Sequence, residues 1–163
     1  MSDDPVDVLV VGAGPTGLTL AAQLAAHGIR PRLVDRSHDR VHESRALAIQ
    51  PRTLEVLAGL GITDRLVELG KAAVQLRIHT RHRDVAVPLF DIGLTDTAYP
   101  YLLFLSQAET ERILADHLTA NGITVERGVE LSSLRSGHDA VPAMLRHDDG
   151  SDGQISAAVP RWP

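Results

Sequence analysis

The hexapeptide Gly12-Ala13-Gly14-Pro15-Thr16-Gly17 constrains this chain more than any other feature, because of what lies on either side of it. Before it runs Val6 to Val11, nearly continuous in aliphatic residues, which suits a strand covered on both faces of a parallel sheet. After it Pro15 is pre-set for a first helical position, and Leu18, Ala21, Ala22 and Ala25 recur at helical spacing until Gly28 stops them. Arg32 to Asp35 resumes strand character after Pro31 and closes a β-α-β unit with a parallel crossover. A G-x-G-x-x-G turn in that setting, with an acid about 20 residues on at Asp35, is the fingerprint of an adenine dinucleotide site. Each glycine has a mechanical reason: Gly12 for the tight turn, Gly14 for backbone approach to a diphosphate, Gly17 for close packing of the helix on the sheet. The free N–H groups at the helix start favour the diphosphate, and the Asp35 carboxylate can accept hydrogen bonds from ribose hydroxyls. The motif alone leaves FAD and NAD both open.

Further along, Arg36 to Gln50 is polar and basic and reads as a long loop. Pro51 opens a helix carrying Leu54, Leu57 and Leu60 and ending at Gly61, and a second short helix spans Thr63 to Leu69. From Val74 to Leu105 the period becomes strand-like, with Leu76-Ile78-Thr80 and Val85-Val87-Leu89 alternating about a turn at 81–84. Ser106 with Glu109 forms a capping box ahead of a helix carrying Ile113, Leu114, His117 and Leu118 and ended by Asn121-Gly122. Ile123 to Glu126 returns to strand, and Val141 to His147 and Gln154 to Ala158 flank the turn-rich 148–153 as a hairpin. The fold class is α/β: a parallel sheet with a β-α-β start and an antiparallel insert at 74–105.

Composition narrows the partner. At 163 residues with 44% apolar content, one domain is the default. Sixteen basic against twenty-one acidic residues leave a charge of -5, which argues against nucleic acid or an anionic membrane and favours a small molecule. The absence of cysteine excludes disulfides and thiolate metal sites and fits a cytoplasmic location. The run Val6 to Val11 is too short for a targeting or membrane segment, and the sole asparagine, Asn121, begins no glycosylation sequon.

Other constellations carry less. His79 and His82 point to opposite faces of a strand and find no third ligand, so no metal site is expected. The segment 148–153 has the look of a calcium loop, but Gly150 occupies a ligand position and Val159 falls where the bidentate Glu belongs. Without a G-x-S-x-G elbow there is no case for a Ser-His-Asp triad, and no catalytic acid or base is nominated.

Four blocks in order resemble the flavoprotein aromatic hydroxylases related to p-hydroxybenzoate hydroxylase, especially those acting on polyketide and phenolic substrates. The blocks are Val8 to Leu18; Ser44-Arg45-Ala46; Arg52-Thr53-Leu54-Glu55; and Tyr99-Pro100-Tyr101 through Gln107, Glu109, Glu111 and Leu114. The resemblance covers nearly the whole chain. It implies a Rossmann-like FAD-binding domain, with FAD as cofactor, NADH or NADPH as co-substrate, and dioxygen supplying one oxygen atom to an aromatic small molecule. It also implies site roles: Gly12 to Gly17 with Ala13, Pro15 and Thr16 as the cradle, Asp35 and Arg36 at the adenosine, and Arg45 near the diphosphate and flavin. Gln107 would lie at the cofactor, Val129 would touch the adenine through its backbone, and 74–105 would supply strands of the substrate-side sheet.

That family's pattern continues with an Asp-Gly pair followed by Ser and Arg, and later a Gly-Asp motif at the ribityl chain. Neither occurs here, since Asp149-Gly150-Ser151 has no arginine in place and reads as a turn. The expectation is therefore one partial FAD-binding domain over 1–163, truncated or frame-shifted near Val159 to Pro163. It would lack the flavin-ring half of the site, be inactive alone, and be poorly soluble through an unpaired edge. Two alternatives remain: an NAD(P)-dependent dehydrogenase, disfavoured by Arg45, Arg52 and Gln107, and a non-catalytic nucleotide-binding remnant, favoured by the missing motifs.

Overall fold

The computed structural model describes residues 6–39, 48–79, 81, 83–89, 96–138 and 140–158. They divide into two compact units, one of 1–40 with 114–163 and one of 41–113.

The first unit is built on a parallel sheet of β1 (Val8–Val11), β2 (Pro31–Asp35) and β8 (Val125–Arg127), in the order β1-β2-β8. Val8 lies opposite Pro31 and Val11 opposite Val34, while Asp35 pairs with Arg127. Helix α1 (Pro15–Ala26) connects the first two strands and buries Leu18, Ala21 and Ala22. Neighbouring residues of a strand face opposite sides, so Leu33 and Val34 enter different layers. Val34 and Leu9 pack with Val129, Ala143, Leu145 and Ile155 of a second sheet, which explains why β1 and β2 are apolar without alternation.

That second sheet is an antiparallel meander of β9 (Val129–Leu134), β10 (Ala140–His147) and β11 (Asp152–Ala158). The hairpin expected at 141–158 forms, with Ala140 opposite Ala158 and Arg146 opposite Asp152. Its turn is braced by the Asp149 carboxylate, which accepts from the Ser151 N–H at 2.8 Å. Strand β9 is absent from the sequence reading, and its register explains why. Leu131 and Leu134 stand three apart and break the period of two, and a bulge between Met144 and Leu145 absorbs the extra residue, putting Leu131 opposite Leu145 and Leu134 opposite Ala143. Beyond the meander, Val6 bridges in parallel to Ala157, with its N–H donating to the Ser156 carbonyl at 3.0 Å.

The second unit holds α2 (Pro51–Ala58) and α3 (Thr63–Leu69), whose Leu54, Leu57 and Leu66 are buried together with Leu103. A small sheet orders β3 (Ala48–Ile49), β7 (Leu102–Phe104) and β4 (Lys71–Ala73), and β5 (Gln75–His79) pairs antiparallel with β6 (Asp84–Pro88). Strands β5 and β6 fall on the two runs whose alternation reads as strand from sequence. Two elements correct that reading: Ala48–Ile49 is a strand inside the stretch taken as loop, and Lys71–Ala73 is a strand ahead of the insert. Two- and three-residue strands are too short to show a period, and tertiary pairing alone selects them. Helix α4 (Gln107–Ala120) starts as expected at Ser106, whose hydroxyl accepts from the Glu109 N–H at 3.2 Å. The return half of the capping box is replaced, because the Glu109 carboxylate instead receives Arg112 at 2.6 Å.

Candidate functional site

At its carboxyl end β1 runs directly into Gly12, whose φ of +99° is a left-handed conformation that side-chain-bearing residues rarely adopt. The Gly12 N–H still donates to the Val34 carbonyl at 2.8 Å, so the turn begins from a position locked to β2. Ala13 is buried, and its N–H donates to the Asp35 carboxylate at 2.5 Å. Gly14 follows as the N-cap of α1 with φ -77° and ψ -179°, extended backbone open to any residue. Its requirement for glycine is therefore not conformational. Gly17 is sterically fixed: a Cβ there would sit 1.9 Å from the Gly12 carbonyl oxygen and 3.5 Å from Val10 Cγ1. The helix thus packs against the turn itself as well as against the sheet.

The start of α1 carries neither a side-chain cap nor an acidic residue in its first turn. The helix thus supplies no anion of its own to its opening amides beyond Ala13, the condition under which a helix N-terminus receives a phosphate.

Asp35 closes β2 beside this turn. One carboxylate oxygen accepts from Ala13, the other accepts from the Ser37 N–H at 2.7 Å, and Arg127 approaches to 3.7 Å. Burial is the largest influence and raises its pKa, but the bonds from Ala13 and Ser37 and the Arg127 charge outweigh it and hold the group below the ordinary 3.8. A folded pKa below the unfolded one means a contribution present above the unfolded value and lost as pH falls through the folded value. Asp35→Asn is therefore expected to narrow the stability gap to wild type only on the acid side of about pH 4. Urea titrations across pH measure this, and a gap that widens on acidification contradicts it. Sequence reasoning missed Arg127, which no local pattern marks; only the pairing of β8 with β2 brings it to Asp35.

Between the strand ends lies an open cleft of about 420 Å³ lined by Val11, Gly12, Asp35, Arg36, Ser37 and the run Val129 to Leu131. The Val129 side chain points into the core cluster, which leaves only its backbone for the cleft. Arg36 is exposed on the rim. A larger cleft of about 550 Å³ lies at the opposite ends of the strands, lined by Arg30, Pro31, Arg32 and Asn121 to Thr124, with Glu126 held by Arg32 at 2.8 Å. In open parallel sheets ligands bind outside the carboxyl ends of the strands, and the smaller cleft alone occupies that position.

The structure thus gathers Gly12 to Gly17, Asp35, Arg36 and Val129 in the first unit. Gln107 belongs to the second unit as the first residue of α4, and its amide donates to the buried Glu111 carboxylate at 2.7 Å. Arg45, with Ser44 and Ala46, lies outside the described residues, as do His82 and Val159 to Pro163. Arg52 pairs with Glu55 at 2.6 Å on the surface of α2, and His79 pairs with Asp84 at 2.9 Å. Among the described residues no helix is long and apolar enough to cross a membrane.

A helix-covered parallel sheet, a glycine turn at its carboxyl edge and an acid one strand over define a dinucleotide-binding α/β protein. Comparison with known proteins is more specific. Residues 5–159 match the model of the FAD binding domain family, and the chain belongs to that family. It is 42% identical over 149 residues to 6-methylpretetramide 4-monooxygenase of Streptomyces rimosus, a match covering 91% of this chain and 27% of the relative. It is 39% identical over 146 residues to rifampicin monooxygenase of Streptomyces venezuelae, covering 85% of this chain and 28% of the relative. Among solved structures, the flavin-dependent monooxygenase PieE in complex with FAD and substrate superposes with a TM-score of 0.86 at 26% identity, over 97% of this chain and 30% of that one. The chain therefore spans under a third of the length of these relatives.

Proposed function

We propose that this chain is the FAD-binding portion of a flavoprotein monooxygenase that hydroxylates aromatic or polyketide substrates with NADH or NADPH and dioxygen, in the cytoplasm. The observation that carries the reading is the uncapped, unobstructed start of α1 beside the Asp35 carboxylate, set in a family whose cofactor is FAD. The names of relatives such as 6-methylpretetramide 4-monooxygenase and pentachlorophenol 4-monooxygenase support the reaction class.

On this reading the amides of Gly14, Thr16 and Gly17 receive the diphosphate, with Pro15, which has no N–H of its own, setting the first helical turn and Thr16 exposed at its edge. Asp35, ionised throughout the neutral range, accepts from a ribose hydroxyl with its remaining lone pairs while Ala13 and Ser37 fix its orientation. Arg36 flanks the adenosine, and the Val129 backbone meets the adenine edge. Gln107 and Arg45 serve the cofactor beyond the adenosine. Bound FAD would supply the redox chemistry, while the protein contributes orientation, charge and water exclusion. No acid or base of this chain enters the reaction. Strands β5 and β6 contribute to the substrate-side sheet.

The purified chain is expected to carry a yellow chromophore that is released as FAD on denaturation. Incubated with NADPH, dioxygen and a phenol, it is expected to yield no hydroxylated product. A colourless protein with affinity for NAD overturns the flavin reading, and substrate-dependent oxygen insertion at ordinary enzymatic rates overturns the assignment as a non-catalysing portion.

A further inference from the structure

Two separate segments line the cleft, the end of β2 with its following loop and the start of β9, and the parallel pairing of β2 with β8 ends at Asp35 and Arg127. Beyond those residues something else must hold the loop 36–38 at a fixed distance from Val129. The turn of the β10-β11 hairpin reaches back to do so. Its Asp148 N–H donates to the Gly128 carbonyl at 3.1 Å, and the Asp148 carboxylate pairs with His38 Nδ1 at 3.1 Å. Gly128, with φ +68°, makes the approach possible: a Cβ there would meet Asp148 Oδ2 at 1.8 Å and His38 Cε1 at 3.6 Å. Three elements distant in sequence therefore converge on one glycine that directly precedes Val129.

We infer that His38, Asp148 and Gly128 form a latch that positions the two walls of the nucleoside cleft, making His38 and Asp148 positioning residues for the adenine half of the coenzyme. The inference rests on the reading of this cleft as the adenosine site. Because the ion pair is exposed, its direct energy is small, and its effect lies in holding Arg36, Ser37 and the Val129 backbone in register. The hairpin turn, which carries no dinucleotide motif of its own, thereby acquires a role in binding.

A double-mutant cycle on the full chain tests it, with ADP as the probe so that only the adenine half is read. Asp148→Asn and His38→Ala are each expected to weaken ADP binding about twofold to fivefold, with the double variant no worse than the poorer single one. His38→Lys, which places a hydrogen-bond donor opposite the Asp148 carboxylate, is expected to recover most of the affinity. Gly128→Ala is expected to lose about tenfold, because it combines a strained φ with displacement of Asp148. Arg146→Ala, which breaks the Arg146 pair with Asp152 elsewhere on the same hairpin, is expected to bind ADP as wild type does. Urea midpoints of the His38 and Asp148 variants should stay at the wild-type value, so that the loss of ADP affinity is read apart from any loss of stability. Additive effects, wild-type affinity in Asp148→Asn, or a fall in midpoint matching the loss of affinity overturns the latch. A wild-type chain that binds neither ADP nor FAD overturns the adenosine reading itself, and the latch with it.

Discussion

Gly17→Ala is expected to destabilise the first unit by about 3 kcal/mol, a large fraction of the stability of a domain of this size. Alanine adds one carbon, but that carbon would sit 1.9 Å from the Gly12 carbonyl oxygen and 3.1 Å from the carbonyl carbon. The obstacle is backbone, so no rotamer relieves it. Either α1 moves off the sheet, or Gly12 leaves the conformation that hydrogen-bonds it to Val34. The first outcome exposes the apolar face that buries Leu18, Ala21 and Ala22, and the second breaks the anchor of the turn to β2. Chemical denaturation followed by circular dichroism reads the loss directly. A midpoint equal to wild type means that the helix can sit further from the turn than the structure places it.

Gly14→Leu is expected to do the opposite, leaving the fold and removing the ligand. The backbone at Gly14 is extended, so leucine costs folding only the preference for glycine at an N-cap, roughly 1 kcal/mol or less. The side chain would stand at the opening of α1, where the diphosphate has to approach within hydrogen-bonding distance of the amides. FAD affinity is expected to fall at least about 100-fold, the equivalent of one or two charge-assisted hydrogen bonds of about 1.5–3 kcal/mol each. Titration of FAD into wild-type and variant protein with matched unfolding curves separates the effect from any loss of structure. Unchanged affinity in a folded variant removes Gly14 from the site.

These contrasting glycines show how much of the site was legible in the sequence. The motif, its strand and helix, and Asp35 could all be read, because local conformation and fixed spacing determine them. The sequence could not show that Asp35 bonds the Ala13 N–H as well as facing the cleft, nor that Gly14 and Gly17 answer to different physical demands. Arg127 and the His38-Asp148 contact were invisible for another reason. They depend on which strand lies beside which, and partners 92 or 110 positions away leave no periodic trace (127 − 35 = 92, 148 − 38 = 110). The meander was half legible: its hairpin announced itself through the turn residues at 148–151, whereas the bulge in β9 disguised its third strand. The short strands at Ala48–Ile49 and Lys71–Ala73 are selected by pairing with β7 and carry no signal of their own.

Amide shifts resolved by residue during FAD addition discriminate between the cleft at the carboxyl ends of the parallel strands and the one at their opposite ends. Saturable shifts concentrated at Ala13, Gly14, Thr16 and Gly17, at Asp35 to Ser37 and at Val129 are the predicted result. Shifts concentrated at Arg30, Arg32 and Asn121 to Thr124, or none at any FAD concentration reached, contradict the account.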